Sequence, residues 1–272
     1  MTLQALLALQ FVLPSIPKVL ALVLSELDQL EPDLKKINQL ISTDLALTTR
    51  LLHLANASFF KLSGKINSVS ESLAILNLGQ VRTLAAAAAS GASFKAVPGI
   101  HLQQFWAYSL SVAKLARSLA GVVRLNPQAA FTSGLIHAVG ELAMHLGMPD
   151  EMAVLNRDMS PLDLRRARLE DGSFGFCYAQ VSAGLARQWQ FPLMMVDALA
   201  HQSAPFENEV CEPLAGVIHL ATWRARVKET GLSDKALVDT FPSLVGDVLG
   251  LDVDRVLQQD PIDWSGQLRT GG

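Results

Sequence analysis

Apolar residues recur at intervals of three and four positions along most of this chain, which is the spacing of helices that bury one face. A strand with one buried face would instead alternate apolar and polar residues, and the sequence has no convincing stretch of that kind. The pattern therefore predicts an all-α protein. The clearest helical segment covers residues 15–30, where the apolar positions are Ile16, Val19, Leu20, Val23, Leu24, Leu27 and Leu30.

Polar and proline residues predict where individual helices begin. Asp33 and Asp44 each precede a segment with helical periodicity, and an aspartate at that place accepts hydrogen bonds from the unpaired N–H groups of the first turn. The helix that follows Asp44 is expected to run to about Ala57. Pro127 suits the first turn of another helix, which is expected to continue to Gly147.

Two residues in the first third of the chain are expected to serve the fold. Asn56 lies late in the helix that starts after Asp44, where its amide can satisfy backbone groups as the chain turns into the loop predicted at residues 58–68. Gly79 follows Leu78 at a predicted helix end, where a left-handed backbone conformation costs glycine least.

Composition narrows the class of protein further. Half of the 272 residues are apolar, 17% are charged and only 6% are aromatic, which is typical of packed helices. The formal charge of −3 gives no electrostatic reason to expect DNA or an anionic membrane as a partner. Cys177 and Cys211 are too few for a disulfide framework, which fits a reducing cytoplasm. The apolar run at the N-terminus ends at Pro14, short of the about 20 residues that cross a bilayer.

His137 is the candidate for chemistry because it lies among apolar neighbours in Gly134–Gly147, which reads G-L-I-H-A-V-G-E-L-A-M-H-L-G. The sequence contains no H-E-x-x-H zinc motif, no G-x-S-x-G nucleophile elbow and no glycine-rich phosphate loop. Cys177 lies in an apolar helix, where a single cysteine is more often part of the packing than a nucleophile.

Four stretches of the chain together resemble a known family. Gly134–Gly147 is similar to the G-L-L-H-D-I-G-K-L signature of the HD superfamily, whose adjacent His and Asp bind a catalytic metal. Leu13–Pro17 resembles the L-P-x-x-P opening of the HDOD branch, and Asp44–Phe60 resembles its D-P-x-L-x-x-x-L-L-x-x-A-N-S-x-x-F segment. Ser70–Leu84 is similar to its S-x-x-x-A-I-x-x-L-G-x-x-x-V pattern. Because their order and spacing agree from roughly Leu13 to Arg226, the chain is identified as a member of the HDOD branch.

This resemblance implies a two-lobed helical fold, with an N-terminal helix bundle and a C-terminal HD-like bundle. Val97-Pro98-Gly99 interrupts the helical pattern and is the expected boundary between the lobes. The expected divisions are an N-terminal apolar helix or arm at residues 1–12, the HDOD domain at 13–226 with lobes at 13–97 and 98–226, and a C-terminal helical extension at 227–272.

The resemblance also locates the metal ligands of HD phosphohydrolases, and most of them are replaced here. Tyrosines stand at two histidine positions, alanine follows the central histidine, and the final aspartate position falls at Ala221-Thr222. Hydrolysis of this kind needs charged oxygen ligands as well as imidazoles to hold a divalent metal, so we expect no catalytic residue, no metal and no cofactor. The vestigial HD pocket consists of Tyr108, His137, Ala138, Tyr178, His201, Gln202 and Thr222.

The resemblance implies a cytoplasmic regulatory or scaffold protein of bacterial signal transduction, which binds a protein partner or a nucleotide ligand without catalysis. The alternative is a divergent, metal-dependent HD-type nucleotide phosphohydrolase or phosphodiesterase. Arg165, Arg166 and Arg168 are candidates for an anion contact, although the acidic residues near them also fit a solvated helix face.

The replacements predict what fills the pocket. Tyr108 and Tyr178 are larger than the histidines whose positions they take, so both are expected to lean into the former metal position beside His137 and His201. The binding function would then lie on the outer surface or in the groove between the lobes, outside this pocket.

Overall fold

The computed structural model of the protein describes residues 1–10, 12–57, 65–90, 96–206, 212–230 and 234–259. Every regular element within those ranges is a helix, so the predicted all-α class is confirmed. The N-terminal part contains α1 (Leu3–Leu7), α2 (Pro17–Leu27), α3 (Leu34–Ile41), α4 (Leu45–Asn56), α5 (Val69–Ile75) and α6 (Leu78–Ser90).

The HD-like part begins with the longest described helix and forms a bundle around it. Its helices are α7 (Leu102–Val122), α8 (Pro127–Ile136), α9 (Val139–Gly147), α10 (Pro149–Asp158), α11 (Arg166–Phe174), α12 (Tyr178–Gln188), α13 (Leu193–His201) and α14 (Pro213–Thr230). Three short helices follow, which are α15 (Asp234–Thr240), α16 (Ser243–Leu249) and α17 (Val253–Leu257). Within the described ranges, none of these helices has the length and apolar character needed to span a bilayer.

The predicted aspartate caps are present, and one of them also joins two helices. Asp33 accepts a hydrogen bond from the backbone N–H of Lys35 at 2.8 Å. Asp44 is buried, and its Oδ1 accepts from the N–H of Leu47 at 2.9 Å, whereas its Oδ2 accepts from the N–H of Ile16 at 2.6 Å. Asp44 therefore caps α4 and fixes the start of α2 against it.

Asn56 has the structural role that the sequence predicts. It is fully buried at the end of α4, where its Nδ2 donates to the carbonyl oxygen of Ile66 at 2.8 Å. Its Oδ1 accepts from the N–H groups of Lys65 at 3.2 Å and Ile66 at 3.0 Å. The amide thus satisfies backbone groups where the chain leads into α5. Residues 58–64 of the predicted loop lie outside the described residues.

The prediction for Gly79 is wrong. Gly79 belongs to the first turn of α6, and it is not among the described glycines with positive φ. The break between helices falls earlier, after Ile75. Asn77 starts α6 because its Oδ1 accepts from the N–H of Gln80 at 2.9 Å, and Gln80 Oε1 accepts from the N–H of Asn77 at 2.9 Å.

The apolar core consists of two clusters that do not divide at residue 97. The larger one joins the N-terminal helices to α9, α12 and α13, and it includes Leu51 and Val181. The smaller one surrounds α7, α8 and α14 and extends to α16 and α17. There, the Trp223 ring lies edge-on to Phe241 with ring centroids 5.2 Å apart. The boundary predicted after residue 226 falls inside α14, and the described helices beyond it pack against the HD-like bundle.

Replacing Asn56 by alanine should therefore destabilise the protein by roughly 2–4 kcal/mol, because backbone groups near Lys65 and Ile66 would be left buried without partners. The free energy of unfolding in urea, followed by circular dichroism, measures this effect. Gln29→Ala is the matched control, since that amide donates to a carbonyl on an exposed helix face, and it should change stability by less than about 0.5 kcal/mol. Superimposable unfolding curves for the two variants would contradict the assigned role.

Candidate functional site

Four helices bring the central residues of the predicted HD pocket together. Tyr108 comes from the middle of α7, His137 lies at the turn between α8 and α9, and Tyr178 is the first residue of α12. All three side chains are buried. Arg226, from α14, lies close to both tyrosines: its guanidinium carbon lies 5.6 Å from the ring centroid of Tyr108, and hydrogen bonding with the Tyr178 side chain favours the charged guanidinium.

His137 is a neutral imidazole with a fixed tautomer. Its Nδ1 lies 2.8 Å from the carbonyl oxygen of Gly134, which can only accept, so Nδ1 carries the proton. Burial lowers the pKa of His137 to about 3, and the nearby Arg226 charge lowers it further, against the opposing effect of the Gly134 hydrogen bond. The edge of the imidazole packs against Tyr108, with ring centroids 5.3 Å apart and an interplanar angle of 60°.

The two tyrosines lie next to a buried cation, Arg226. Burial raises the pKa of Tyr178 far above its usual value, despite the Arg226 charge. Arg226 is itself buried, and the tyrosines favour its charged form electrostatically. Tyr108 lies beside His137 as the sequence predicts. The partner found for Tyr178 is Arg226, a residue absent from the predicted pocket.

Side chains from two other helices donate hydrogen bonds to the turn that carries His137. Gln202 Nε2 donates to the carbonyl oxygen of His137 at 2.9 Å, and Ser182 Oγ donates to the same oxygen at 3.0 Å. Ser182 Oγ also accepts from the N–H of Gly140 at 2.8 Å. A Cβ atom on Gly140 would lie 2.1 Å from the Tyr178 carbonyl oxygen, so only glycine permits this approach of α9 to α12.

The remaining predicted pocket residues are Ala138, Thr222 and His201. Ala138 and Thr222 are buried. His201 is partly exposed, and its Nδ1 lies 2.8 Å from the carbonyl oxygen of Asp197 one helical turn earlier. Within the residues that the structure describes, no three His, Cys, Asp or Glu side chains are grouped so as to hold a metal ion. The side chains around His137 do not fit a divalent metal, because they are phenols beside a guanidinium rather than carboxylates.

A second buried cluster lies next to this pocket and contains Glu141, His145, Arg166 and Glu170. Arg166 Nε lies 2.8 Å from Glu170 Oε1 and 3.4 Å from Glu141 Oε1. His145 Nε2 lies 3.5 Å from Glu141 Oε2. Glu170 Oε2 accepts from the backbone N–H of Tyr178 at 2.8 Å, which connects the cluster to the pocket.

Together, the two carboxyls of this cluster retain one shared proton at neutral pH. Burial raises the pKa of Glu141 to about 7, although Arg166 opposes the shift. Burial and the adjacent Glu141 carboxyl raise the pKa of Glu170 still further. One guanidinium cannot neutralise two buried carboxylates, so the pair shares a proton and behaves as one coupled group. Burial lowers the pKa of His145 to about 4, which leaves its imidazole uncharged.

The three arginines predicted as an anion contact do not form one surface, and this prediction needs correction. Arg166 is fully buried, and its Nη1 donates to the carbonyl oxygen of Met159 at 2.8 Å in addition to the carboxyl contacts. Arg165 is exposed and pairs with Asp163 at 3.2 Å. Arg168 is exposed on α11. Arg166 is the first residue of α11, and its burial separates it from the exposed Arg165 and Arg168.

Sequence reasoning missed Arg226 and the buried role of Arg166, although signals for both exist. Arg226 follows Thr222 by four residues, so it lies one helical turn further along the same face of α14. Arg166 and Glu170 have the same spacing, which places them as neighbours on α11. The spacing predicts that each pair shares a helix face, but it does not reveal whether that face is buried.

Residues 13–205 match the HDOD domain family, and the chain therefore belongs to that family. The MmoQ response regulator from Methylococcus capsulatus has a similar solved structure, with 25% sequence identity and a TM-score of 0.70 over 91% of this chain and 98% of that chain. A candidate phosphohydrolase from Shewanella amazonensis is also 25% identical, with a TM-score of 0.51 over 90% of this chain and 88% of that chain.

A protein from Treponema pallidum is 23% identical over 217 residues, which cover 79% of this chain and 42% of that protein. The chain thus spans less than half the length of this curated relative.

The shared proton predicts a pH dependence of stability. The raised pKa values of Glu141 and Glu170 give a contribution to stability that is complete below their unfolded value of about 4.5 and is lost as pH rises through the folded values. Glu141→Gln leaves a single carboxylate opposite Arg166. Between pH 6.5 and 8.5, the free energy of unfolding should fall by at least about 1 kcal/mol less in this variant than in the wild type.

Urea unfolding at several pH values measures this difference. The window avoids His137 and His145, whose lowered pKa values affect stability only as pH falls below about 6.5. The exposed Glu31→Gln variant is the control and should keep the wild-type slope. If the free energy of unfolding changed equally with pH in Glu141→Gln and in the wild type, the carboxyl pair would not hold the shared proton.

Proposed function

We propose that this protein is a non-catalytic regulatory or scaffold protein of bacterial signal transduction, which acts by binding a protein partner or a nucleotide. Its family and its likeness to a response regulator support a signalling role. The non-catalytic part of this proposal rests on the contact of the Arg226 guanidinium with Tyr108 and Tyr178. These tyrosines occupy two positions where the resemblance leads us to expect metal ligands.

This contact opposes metal-dependent hydrolysis in two ways. A phosphohydrolase of the HD type uses a divalent cation to bind phosphate and to lower the pKa of the attacking water. Here the buried positive charge belongs to Arg226, which would repel a second cation at close range. The Tyr178 phenol also remains protonated at neutral pH, since burial raises its pKa, and a protonated phenol is a weak metal ligand.

The rival proposal is a divergent phosphohydrolase or phosphodiesterase that acts on nucleotides. Its support is the likeness to the Shewanella amazonensis protein, together with His137, whose Nε2 is buried without a hydrogen-bond partner among the described atoms. The proposal of a signalling role also includes a cytoplasmic location, no cofactor and no binding of DNA. The identity of a protein partner would come from capture experiments in the native host.

Purified wild-type protein incubated with Mn²⁺, Fe²⁺ or Ni²⁺ and then desalted should retain no stoichiometric metal in elemental analysis. The Ala138→Asp variant restores the aspartate next to His137, and it should also retain none, because Arg226 and the tyrosines still occupy the surrounding space. Stoichiometric metal on Ala138→Asp would overturn the account of the filled pocket.

Turnover provides the second measurement. The wild type should not hydrolyse cyclic dinucleotides or nucleoside phosphates in the presence of these metals. Metal-dependent hydrolysis that His137→Ala abolishes, while the exposed His53→Ala variant retains it, would establish the rival proposal.

A further inference from the structure

The chain segment that leads into α7 is held by a side chain of α9. We call residues 96–101 the α7 entry segment, since α7 starts at Leu102. His145 of α9 contacts this segment, and its Nδ1 lies 2.7 Å from the carbonyl oxygen of Pro98. A carbonyl oxygen can only accept, so Nδ1 carries a proton and donates it. At this short distance the hydrogen bond is well formed.

The α7 entry segment packs closely against His145 and against Asn156 of α10. Gly99 has a φ of 75°, and a Cβ atom there would lie 2.7 Å from Asn156 Nδ2 and 3.1 Å from His145 Nδ1. Asn156 Nδ2 also donates to the Gly99 carbonyl oxygen at 3.4 Å. Within the segment, the Ile100 N–H donates to the Val97 carbonyl oxygen at 3.1 Å, and the Val97 side chain is buried in the larger core cluster. The segment is therefore a tight turn that His145 holds against α9.

The other ring nitrogen of His145 faces a buried carboxyl. Its Nε2 lies 3.5 Å from Glu141 Oε2, and both side chains are only 1% exposed. Since the ring is uncharged at neutral pH and its proton lies on Nδ1, Nε2 presents a lone pair to that oxygen. Nε2 has no hydrogen-bond partner among the described atoms. This arrangement suits a protonated carboxyl, whereas a carboxylate and the Nε2 lone pair would be two acceptors facing each other in a buried place.

The charges around this pair make Glu141 the less compensated of the two carboxyls. Arg166 and Glu170 from α11 and Arg226 from α14 all act on Glu141. Both Glu170 oxygens already accept at 2.8 Å, one from Arg166 Nε and the other from a backbone N–H. Arg166 Nε lies further from Glu141 Oε1, at 3.4 Å. Once the shared proton has left the pair, a donor on His145 Nε2 would therefore stabilise the Glu141 carboxylate.

We propose that His145 is a proton-controlled clasp on the α7 entry segment, which binds Pro98 while the carboxyl pair holds its shared proton and releases Pro98 when that proton is lost. The shared proton goes to solvent, and the proton of the His145 ring moves from Nδ1 to Nε2, so the ring stays uncharged. The Nδ1–H···O bond to Pro98 breaks, and an Nε2–H···O bond to the Glu141 carboxylate forms.

The change of tautomer loosens the α7 entry segment. Nδ1 and the Pro98 carbonyl oxygen are 2.7 Å apart, and without a proton between them both would be acceptors, so they move apart. Pro98 and Gly99 then lose their close fit to α9 and α10. The protonation state of the HD-like bundle would thus control how firmly the start of α7 is held.

NMR of the histidine side chains in the full chain tests this proposal. Histidine-selective ¹⁵N labelling reports which ring nitrogen carries the proton, and the signals of His145 are those that His145→Gln removes. The proton should lie on Nδ1 at pH 6 and on Nε2 at pH 9, since burial raises the pKa of Glu141 to about 7, between these values. A proton on Nδ1 alone at both pH values would overturn the proposal. A doubly protonated ring at pH 9 would also overturn it, because such a ring keeps its bond to Pro98.

Hydrogen exchange measures the release of the segment. The Ile100 amide reports on the turn, because it donates to the Val97 carbonyl oxygen. Its protection factor, corrected for the intrinsic effect of pH, should fall at least about tenfold more between pH 6 and pH 9 than that of the Leu20 amide in α2. The comparison with Leu20 separates local opening from a change in global stability. An equal fall for the two amides would contradict release of the segment.

Glu141→Gln should lock the clasp closed. The amide of this variant is uncharged at every pH and can donate to Nε2, so His145 should keep its proton on Nδ1 from pH 6 to pH 9. The matched control is Glu31→Gln at an exposed position, which should change tautomer as the wild type does. A change of tautomer in Glu141→Gln would show that another group drives it and would overturn the proposal. If circular dichroism shows that Glu141→Gln is not folded, the wild-type series decides, because it needs no substitution in the cluster.

Discussion

A positive charge buried in a helical bundle has to be compensated inside the protein, because its removal from water costs several kcal/mol. Arg226 meets this requirement through the π face of Tyr108 and the phenol oxygen of Tyr178. These contacts tie α14 to α7 and α12, and Tyr108 in turn packs against His137 at the turn between α8 and α9. One guanidinium thereby fixes the relative positions of the helices around the predicted HD pocket.

The cluster around Arg166 extends this constraint to the other side of Tyr178. Glu170 holds both Arg166 Nε and the Tyr178 N–H at 2.8 Å, so the start of α12 lies between two buried ionic groups. Breaking either group would leave charges without partners, which is much more costly than losing an exposed ion pair. The described interior of the HD-like bundle therefore depends on both of these buried ionic groups.

The sequence predicts the parts of this arrangement that depend on local pattern. Asp33 and Asp44 cap helices because short acidic side chains satisfy the first-turn N–H groups, and Asn56 closes α4 for a related reason. Arg226 and Arg166 could not be assigned from the sequence, since exposed and buried arginines have the same helical spacing and only the tertiary partners distinguish them. Gly79 was misassigned because Asn77 and Gln80 supply a helix start that needs no left-handed residue.

The two halves of the molecule are joined where α4 meets α8 and where α1 meets α9 and α12. Asp44 fixes the start of α2 to the start of α4, so α2 is held to the helix that contacts α8. Within the HD-like bundle, Arg226 ties α14 to α7 through the ring of Tyr108. The polar contacts of Asp44 and Arg226 therefore add to the apolar core that joins the N-terminal helices to the HD-like bundle.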